Sequence, residues 1–281
     1  MRSQLDDHGY RITRQLGTTS TESAGVFLLG PIDGKHELWL LTEDGDWFRV
    51  ANDVDGLPVA DPTSPWLFWM TADHQITAYD TDSRKTVTTQ PVSPGPADFL
   101  WFSNGDTAYY TAKTGTMQWT VGGEPTPQPI TRPGDHVDTA RDGFVGLMNE
   151  EGGYRVMSGQ TQIFALGRIH NGWGRISPDA RWITFDDRDD FAVLTLPEMK
   201  PVELPLPQGW FVASVEWTPD SRLVVSGAND EASDPGVRSF VCEPASATCE
   251  EYPKRALPYS MTNSARGQFI LAEPKNFDES M

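Results

Sequence analysis

The segment "RISPDARWITFDD" (175–187) recurs forty-one residues later as "EWTPDSRLVVSGA" (216–228). A chain that writes one phrase twice at this distance is built from repeats, and a repeat restricts the fold more than any single motif does. With Asp179 and Asp220 as the turn positions, the same pattern marks Asp33, Asp73, Gly105 and Asp142 upstream and Ser264 downstream. The successive spacings are 40, 32, 37, 37, 41 and 44 residues.

Each of these seven stations has the same surroundings. An apolar segment precedes it ("GVFLLG", "WLFWM", "FLWF", "HVDTA", "WGRIS", "VASVEW", "LPYSMT"), then comes a tight turn of Asp, Gly, Asn or Ser. A second segment follows ("HELWLL", "QITAYD", "TAYYTA", "FVGLMN", "RWITF", "RLVVSG", "QFILA"), then a third such as "DWFRV", "MQWTV" or "FAVLTL". These runs have strand length and strand composition, and no 3.6-residue period is sustained anywhere. Weaker outer segments complete four strands, A to D, per unit. The expectation is an all-β chain: a single β-propeller domain over residues 1–281, with seven blades and six as the alternative. The last unit stops after two strands, so residues 8–16 are expected to close the ring on it, with 1–7 and 274–281 as free termini.

The phrases "ISPDARWITF" and "WTPDSRLVV" resemble the TolB-like, WD-repeat-like propeller repeat, whose consensus reads roughly W-S-P-D-G-K-x-I-A-F. Ala180 and Ser221 stand where that consensus prefers Gly. The resemblance implies a propeller used for binding or assembly, and it carries over no catalytic residue.

Forty acidic residues against 22 basic give a net charge of −18. Phosphate backbones repel such a surface, which argues against nucleic acid. No apolar run approaches the roughly 20 residues of a membrane span, and "MRSQLDDHGY" has no apolar signal core. Cys242 and Cys249 bracket six residues, a spacing that a hairpin would bring to disulfide distance. Two independent buried thiols are the alternative. A disulfide points to an extracytoplasmic or secreted protein whose leader or anchor has been removed; otherwise the chain is cytoplasmic.

Familiar catalytic signatures are missing. There is no G-x-S-x-G nucleophile elbow. "GPIDGKH" falls short of a phosphate loop by one residue and has His36 where Ser or Thr belongs. The five histidines show no metal-ligand pairing, and "ANDVDG" cannot open an EF-hand. No cofactor is expected, although acidic loops leave room for a structural divalent cation such as calcium.

Geography remains. If the stations are A–B turns, the B–C loops and the starts of strand A lie together on the opposite face. The B–C loops are acidic: Glu43, Asp44 and Asp46; Asp80 and Asp82; Glu150 and Glu151; Asp186, Asp187, Asp189 and Asp190; Asp230, Glu231 and Asp234. Strand A is expected to begin at an aromatic ring in nearly every unit: Phe27, Trp66, Phe99, His136, Trp173, Trp210 and Tyr259. Such a face suits a protein or peptide, basic by charge complementarity, or a carbohydrate. The plainer alternative is that the rings pack between blades and the acids solvate the surface. The sequence therefore favours a non-enzymatic binding or scaffold propeller using Trp66, Trp173, Trp210, Tyr259, Glu150, Glu151, Asp186, Asp187, Asp189, Asp190 and Asp230. A glycosidase- or lyase-type enzyme with carboxylates converging in the central cleft is the alternative.

Overall fold

The computed structural model describes residues 15–21, 24–32, 35–42, 47–88, 97–129, 131–132, 134–149, 151–168, 173–187, 190–207, 211–228, 238–251, 261–263 and 269–271. Every regular element among them is a strand, and no helix is long and apolar enough to cross a membrane.

The first sheet is β1 (Gln15–Ser20), β2 (Ala24–Ile32), β3 (Lys35–Thr42) and β4 (Trp47–Ala51). The second is β5 (Val54–Ala60), β6 (Trp66–Thr71), β7 (Ile76–Asp80) and β8 (Lys85–Thr88). The third is β9 (Ala97–Asn104), β10 (Thr107–Ala112), β11 (Gly115–Thr120) and β12 (Thr126–Pro127). The fourth is β13 (Asp135–Arg141), β14 (Phe144–Asn149), β15 (Gly153–Ser158) and β16 (Thr161–Arg168). The fifth is β17 (Trp173–Ile176), β18 (Trp182–Asp187), β19 (Asp190–Thr195) and β20 (Pro201–Val202). The sixth is β21 (Phe211–Trp217), β22 (Leu223–Ala228), β23 (Arg238–Glu243) and β24 (Thr248–Glu251), and β25 (Met261–Asn263) pairs with β26 (Phe269–Leu271) in a seventh. Within each four-stranded sheet the strands pair in chain order, all antiparallel. The first strands of successive sheets, β1, β5, β9, β13 and β17, neighbour one another, and β25 lies against β1 and β2. Those first strands are the inner ones, and the sheets stand around them as the blades of a propeller.

Packing explains the unbroken apolar runs. In β6, Leu67 and Trp69 meet Val26, Leu38 and Leu40 of the first sheet, while Phe68 and Met70 meet Leu100, Tyr110 and Trp119 of the third. Side chains alternate across a strand, so a strand with a sheet on each flank is apolar at every position. The pattern repeats at Trp182, which packs toward the sixth sheet, and at Ile183 and Phe185, which pack toward the fourth. Each such burial contributes on the order of 1.5–3 kcal/mol.

The recurring phrase is a recurring turn. Ser177 Oγ accepts the Trp182 amide at 3.0 Å and donates to the Asp179 carboxylate at 2.7 Å. In the second copy Thr218 Oγ1 likewise accepts the Arg222 amide at 2.9 Å and donates to Asp220. Ala180 and Ser221, at the consensus glycine position, have φ of 56° and 64°. The two turns also lock to each other, since the Asp179 amide donates to Ser221 Oγ at 3.0 Å.

Two stations are corrected. Asp73 joins β6 to β7, and the step from Ile32 to Lys35 joins β2 to β3, so the first two stations are B–C junctions and not A–B turns; Asp33 itself lies outside the described residues. The A–B connections of the first two sheets follow Ser20 and Ala60. "TADHQ" (71–75) is nonetheless the same turn: the Gln75 amide donates to Thr71 Oγ1 and His74 has φ 60°. His74 backbone carbonyl accepts the Ala97 amide at 2.9 Å, which puts this turn beside the beginning of β9, at the opposite end of the ring from Gly105. Ser264 lies outside the described residues.

Ring closure differs in part as well. Gln15 pairs with Leu29 inside the first sheet, so the end of the 8–16 segment belongs to that sheet's inner strand. Residues 8–14, 1–7 and 274–281 lie outside the described residues.

Candidate functional site at the inlet face

The inlet face is the end of the ring where the inner strands begin and where B–C and D–A connections meet. On it Phe99, Trp101 and His136 form one stack. The Phe99 and Trp101 rings lie 4.2 Å apart, and His136 lies parallel to Trp101 at 3.6 Å. The indole N–H of Trp101 donates to Thr111 Oγ1 at 2.6 Å, which fixes the ring. Phe99 is 41% exposed. Burial pushes the His136 imidazole down to about 4, against an opposing pull from Asp135, so the stack is uncharged at neutral pH. Asp135 is engaged by Arg155 and by the Arg132 amide at 2.7 Å.

The acidic loops divide. In the fourth sheet Asn149 Oδ1 accepts the Glu151 and Gly153 amides at 3.0 and 2.8 Å, shaping a B–C turn on which Glu151 is exposed; Glu150 lies outside the described residues. In the fifth sheet Asp187 pairs with Asp190 across the B–C hairpin, and Trp173 pairs with Asp186 at the start of β17. The backbone therefore brings Trp173, Asp186, Asp187 and Asp190 to the inlet face. Asp189, Trp210, Asp230, Glu231, Asp234 and Tyr259 lie outside the described residues.

Three expectations about this face are corrected. Trp66 follows the A–B loop of the second sheet, its amide donating to Ser64 Oγ at 3.1 Å, and it packs against the core at the far end. Asp80 and Asp82 lie in the C–D turn between β7 and β8, also at the far end. Glu43, Asp44 and Asp46 lie outside the described residues. Phe27 sits within β2, the second strand of its sheet. The central ring of the stack, Trp101, is not among the rings expected at the strand starts, although the "FLWF" run contains it. Leu57 and Asp98 carry no sequence signal beyond a Gly-Leu-Pro and an isolated acid.

Nearer the axis, inner strands four to six carry a charged group. The Asp138 carboxylate is 1% exposed and accepts the Tyr154 hydroxyl at 3.0 Å and the Gly174 amide at 2.5 Å. Arg175 lies 3.5 Å from its other oxygen. A β-carbon at Gly146 or Gly174 would collide with the Tyr154 hydroxyl, which is why both positions are bare. Burial raises Asp138, outweighing Arg175 and the two hydrogen bonds. Burial likewise holds Glu216, on β21, up at about 7 against the lowering influence of Arg175. Among the described residues no three His, Cys, Asp or Glu side chains are placed to hold a metal ion.

No family model and no curated protein sequence matches the chain. Its likeness to solved structures is extensive. A chain of the mitotic checkpoint complex is 11% identical, with 89% of this chain and 81% of that one covered and a TM-score of 0.54. The WD40 β-propeller domain of Doa1 is 11% identical, with coverages of 92% and 88% and a TM-score of 0.52. U3-55K is 15% identical, with coverages of 90% and 87% and a TM-score of 0.55. At these identities the likeness is one of fold, and it is to WD40-type β-propellers.

Proposed function

We propose that this chain is a non-enzymatic binding or scaffold propeller that takes a basic protein or peptide on its inlet face. One observation carries the reading: a fixed, uncharged aromatic stack with an exposed Phe99 opens at the same end as the acidic B–C turns of the fourth and fifth sheets. A negative surface of net charge −18 attracts basic partners over distance, and aromatic rings supply contact area at small entropic cost. The Cys242–Cys249 disulfide supports an extracytoplasmic home.

The enzyme alternative would need accessible carboxylates near the axis. Asp138 and Glu216 both sense Arg175, yet Asp138 is sealed in and already joins the fourth sheet to the fifth through the Gly174 amide. That is a structural occupation.

The test replaces Asp187, Asp189 and Asp190 with Asn and measures binding of a fluorescein-labelled Lys-Ser alternating nonapeptide at low and moderate salt. The triple variant should bind at least about threefold more weakly at low salt. Equal affinity of both proteins at both salts would contradict the reading.

A further inference from the structure

Among the described residues four large hydrophobic side chains are exposed: Leu57, Val87, Phe99 and Leu166. Val87 and Leu166 lie on the outer strands β8 and β16. Leu57 and Phe99 lie on β5 and β9, which are adjacent inner strands. An inner strand has a sheet on each flank, so a side chain exposed from it looks into the axial mouth.

Both strands depart from regular pairing at these residues. In β5, Asp55 faces Met70 and Val59 faces Phe68, leaving Gly56, Leu57 and Pro58 opposite the single residue between them on β6. Gly56 turns through φ 79°, and Leu57 is lifted out at 55% exposure. In β9, Ala97 and Phe99 face consecutive residues of β10, as do Leu100 and Phe102. Asp98 and Trp101 are the surplus residues. A bulge re-aims a side chain at the expense of ladder bonds, and bulges cluster beside functional sites. Inner strands β1, β13 and β21 bulge as well, but among the described residues only β5 and β9 expose large apolar groups from an inner strand.

The surroundings define the occupant. Asp53 and Asp55 precede the β5 bulge, and Asp98 is itself a bulge residue; all three are exposed. Lys113, in the third sheet's B–C turn, opposes them in part. We infer that Leu57, Phe99 and the Trp101–His136 stack form an anchor for one large apolar side chain of a lysine- or arginine-bearing peptide segment, with Asp53, Asp55 and Asp98 taking the flanking positive charges. The inference rests on the peptide-binding reading above and goes beyond it in naming the subsite and the side-chain class it selects.

Two labelled nonapeptides of equal charge separate the two ideas: the Lys-Ser alternating peptide, which begins and ends with Ser, and the same peptide with its central Ser replaced by Phe. Fluorescence anisotropy should give about tenfold tighter binding of the Phe peptide by the wild-type chain, the scale of one well-buried apolar group. In a Leu57→Ser, Phe99→Ser double variant the two peptides should bind alike, at the level of the Lys-Ser peptide. Should that variant melt early, Leu57→Ser alone tests the same point, since its side chain lies outside the ladder, and it should lower the preference at least about threefold. A preference undiminished in these variants, or absent from the wild type while both peptides still bind, overturns the anchor and leaves the peptide-binding reading standing. Failure of both peptides to bind at low salt overturns both. Tighter binding of a neutral glucose hexasaccharide than of either peptide overturns the anchor in favour of a carbohydrate.

Discussion

Arg141, at the end of β13, reaches Asp61 in the A–B loop of the second sheet, with guanidinium and carboxylate 2.6 Å apart. The same carboxylate accepts the Gly105 amide at 2.7 Å and the Thr63 amide at 2.9 Å. One buried acid thus joins the second, third and fourth sheets at the end opposite the inlet face. Among the described residues the exposed ring, that of Phe99, lies at the inlet end.

Asp61→Ala should cost about 3–5 kcal/mol, because it takes the carboxylate from the partly buried Arg141 and leaves the Gly105 and Thr63 amides without their acceptor. Arg141→Met leaves Asp61 its amide donors and should cost less, about 1–3 kcal/mol. Urea unfolding measures both, and equal small costs would contradict the latch.

The propeller class was legible because turn chemistry and spacing repeat. The phase was not. "TADHQ" and "TPDSR" build the same turn, so the residues announce a turn without saying which pair of strands it joins. The strands that would have set the phase, "QLGTTS" and "VDGLPVA", are inner strands whose Gly, Pro and polar residues obscure a strand pattern. The short 32-residue interval between Asp73 and Gly105 was the trace of that slip. The aromatic stack was half legible: Phe99 and His136 stood where inner strands begin, but the bulges that expose Leu57 and Asp98 depend on pairing with a partner strand.

Stability should respond to pH with two opposing signs. Glu216 titrates at about 7 in the folded chain against 4.5 ordinarily, so the folded state holds its proton longer and stability is lost as pH rises through 7. Glu216→Gln should remove that loss and raise stability above pH 7 by about 1–3 kcal/mol. His136 is held at about 4 against 6.5, so its contribution is present above 6.5 and lost as pH falls toward 4. His136→Phe keeps the stack and should flatten the acid side. Urea midpoints from pH 5 to 8 report both; an unchanged profile in either variant would contradict its assignment.

Ala180→Gly should stabilise the chain by about 0.5–1 kcal/mol, since Ala sits at φ 56° where Gly is unstrained. Ser221→Gly relieves the same backbone but loses the hydroxyl that accepts the Asp179 amide, so no gain is expected. Thermal melts distinguish them; equal gains would mean that the bond between the two turns contributes nothing.

Cys242 and Cys249 face each other across β23 and β24 and are disulfide-bonded, with Cα atoms 4.0 Å apart. Reduction should cost about 2–3 kcal/mol for so short a loop. Titration of the unfolded, unreduced protein should find no reactive thiol, and two reactive thiols would refute the bond together with the extracytoplasmic argument.

The claim that the inlet face binds is tested most directly by amide hydrogen exchange with and without saturating Lys-Phe peptide. Protection should rise at 97–101, 135–137 and 149–153 and stay unchanged at the A–B turns 61–65, 105–107, 141–144 and 179–181. Protection confined to those A–B turns would contradict the account.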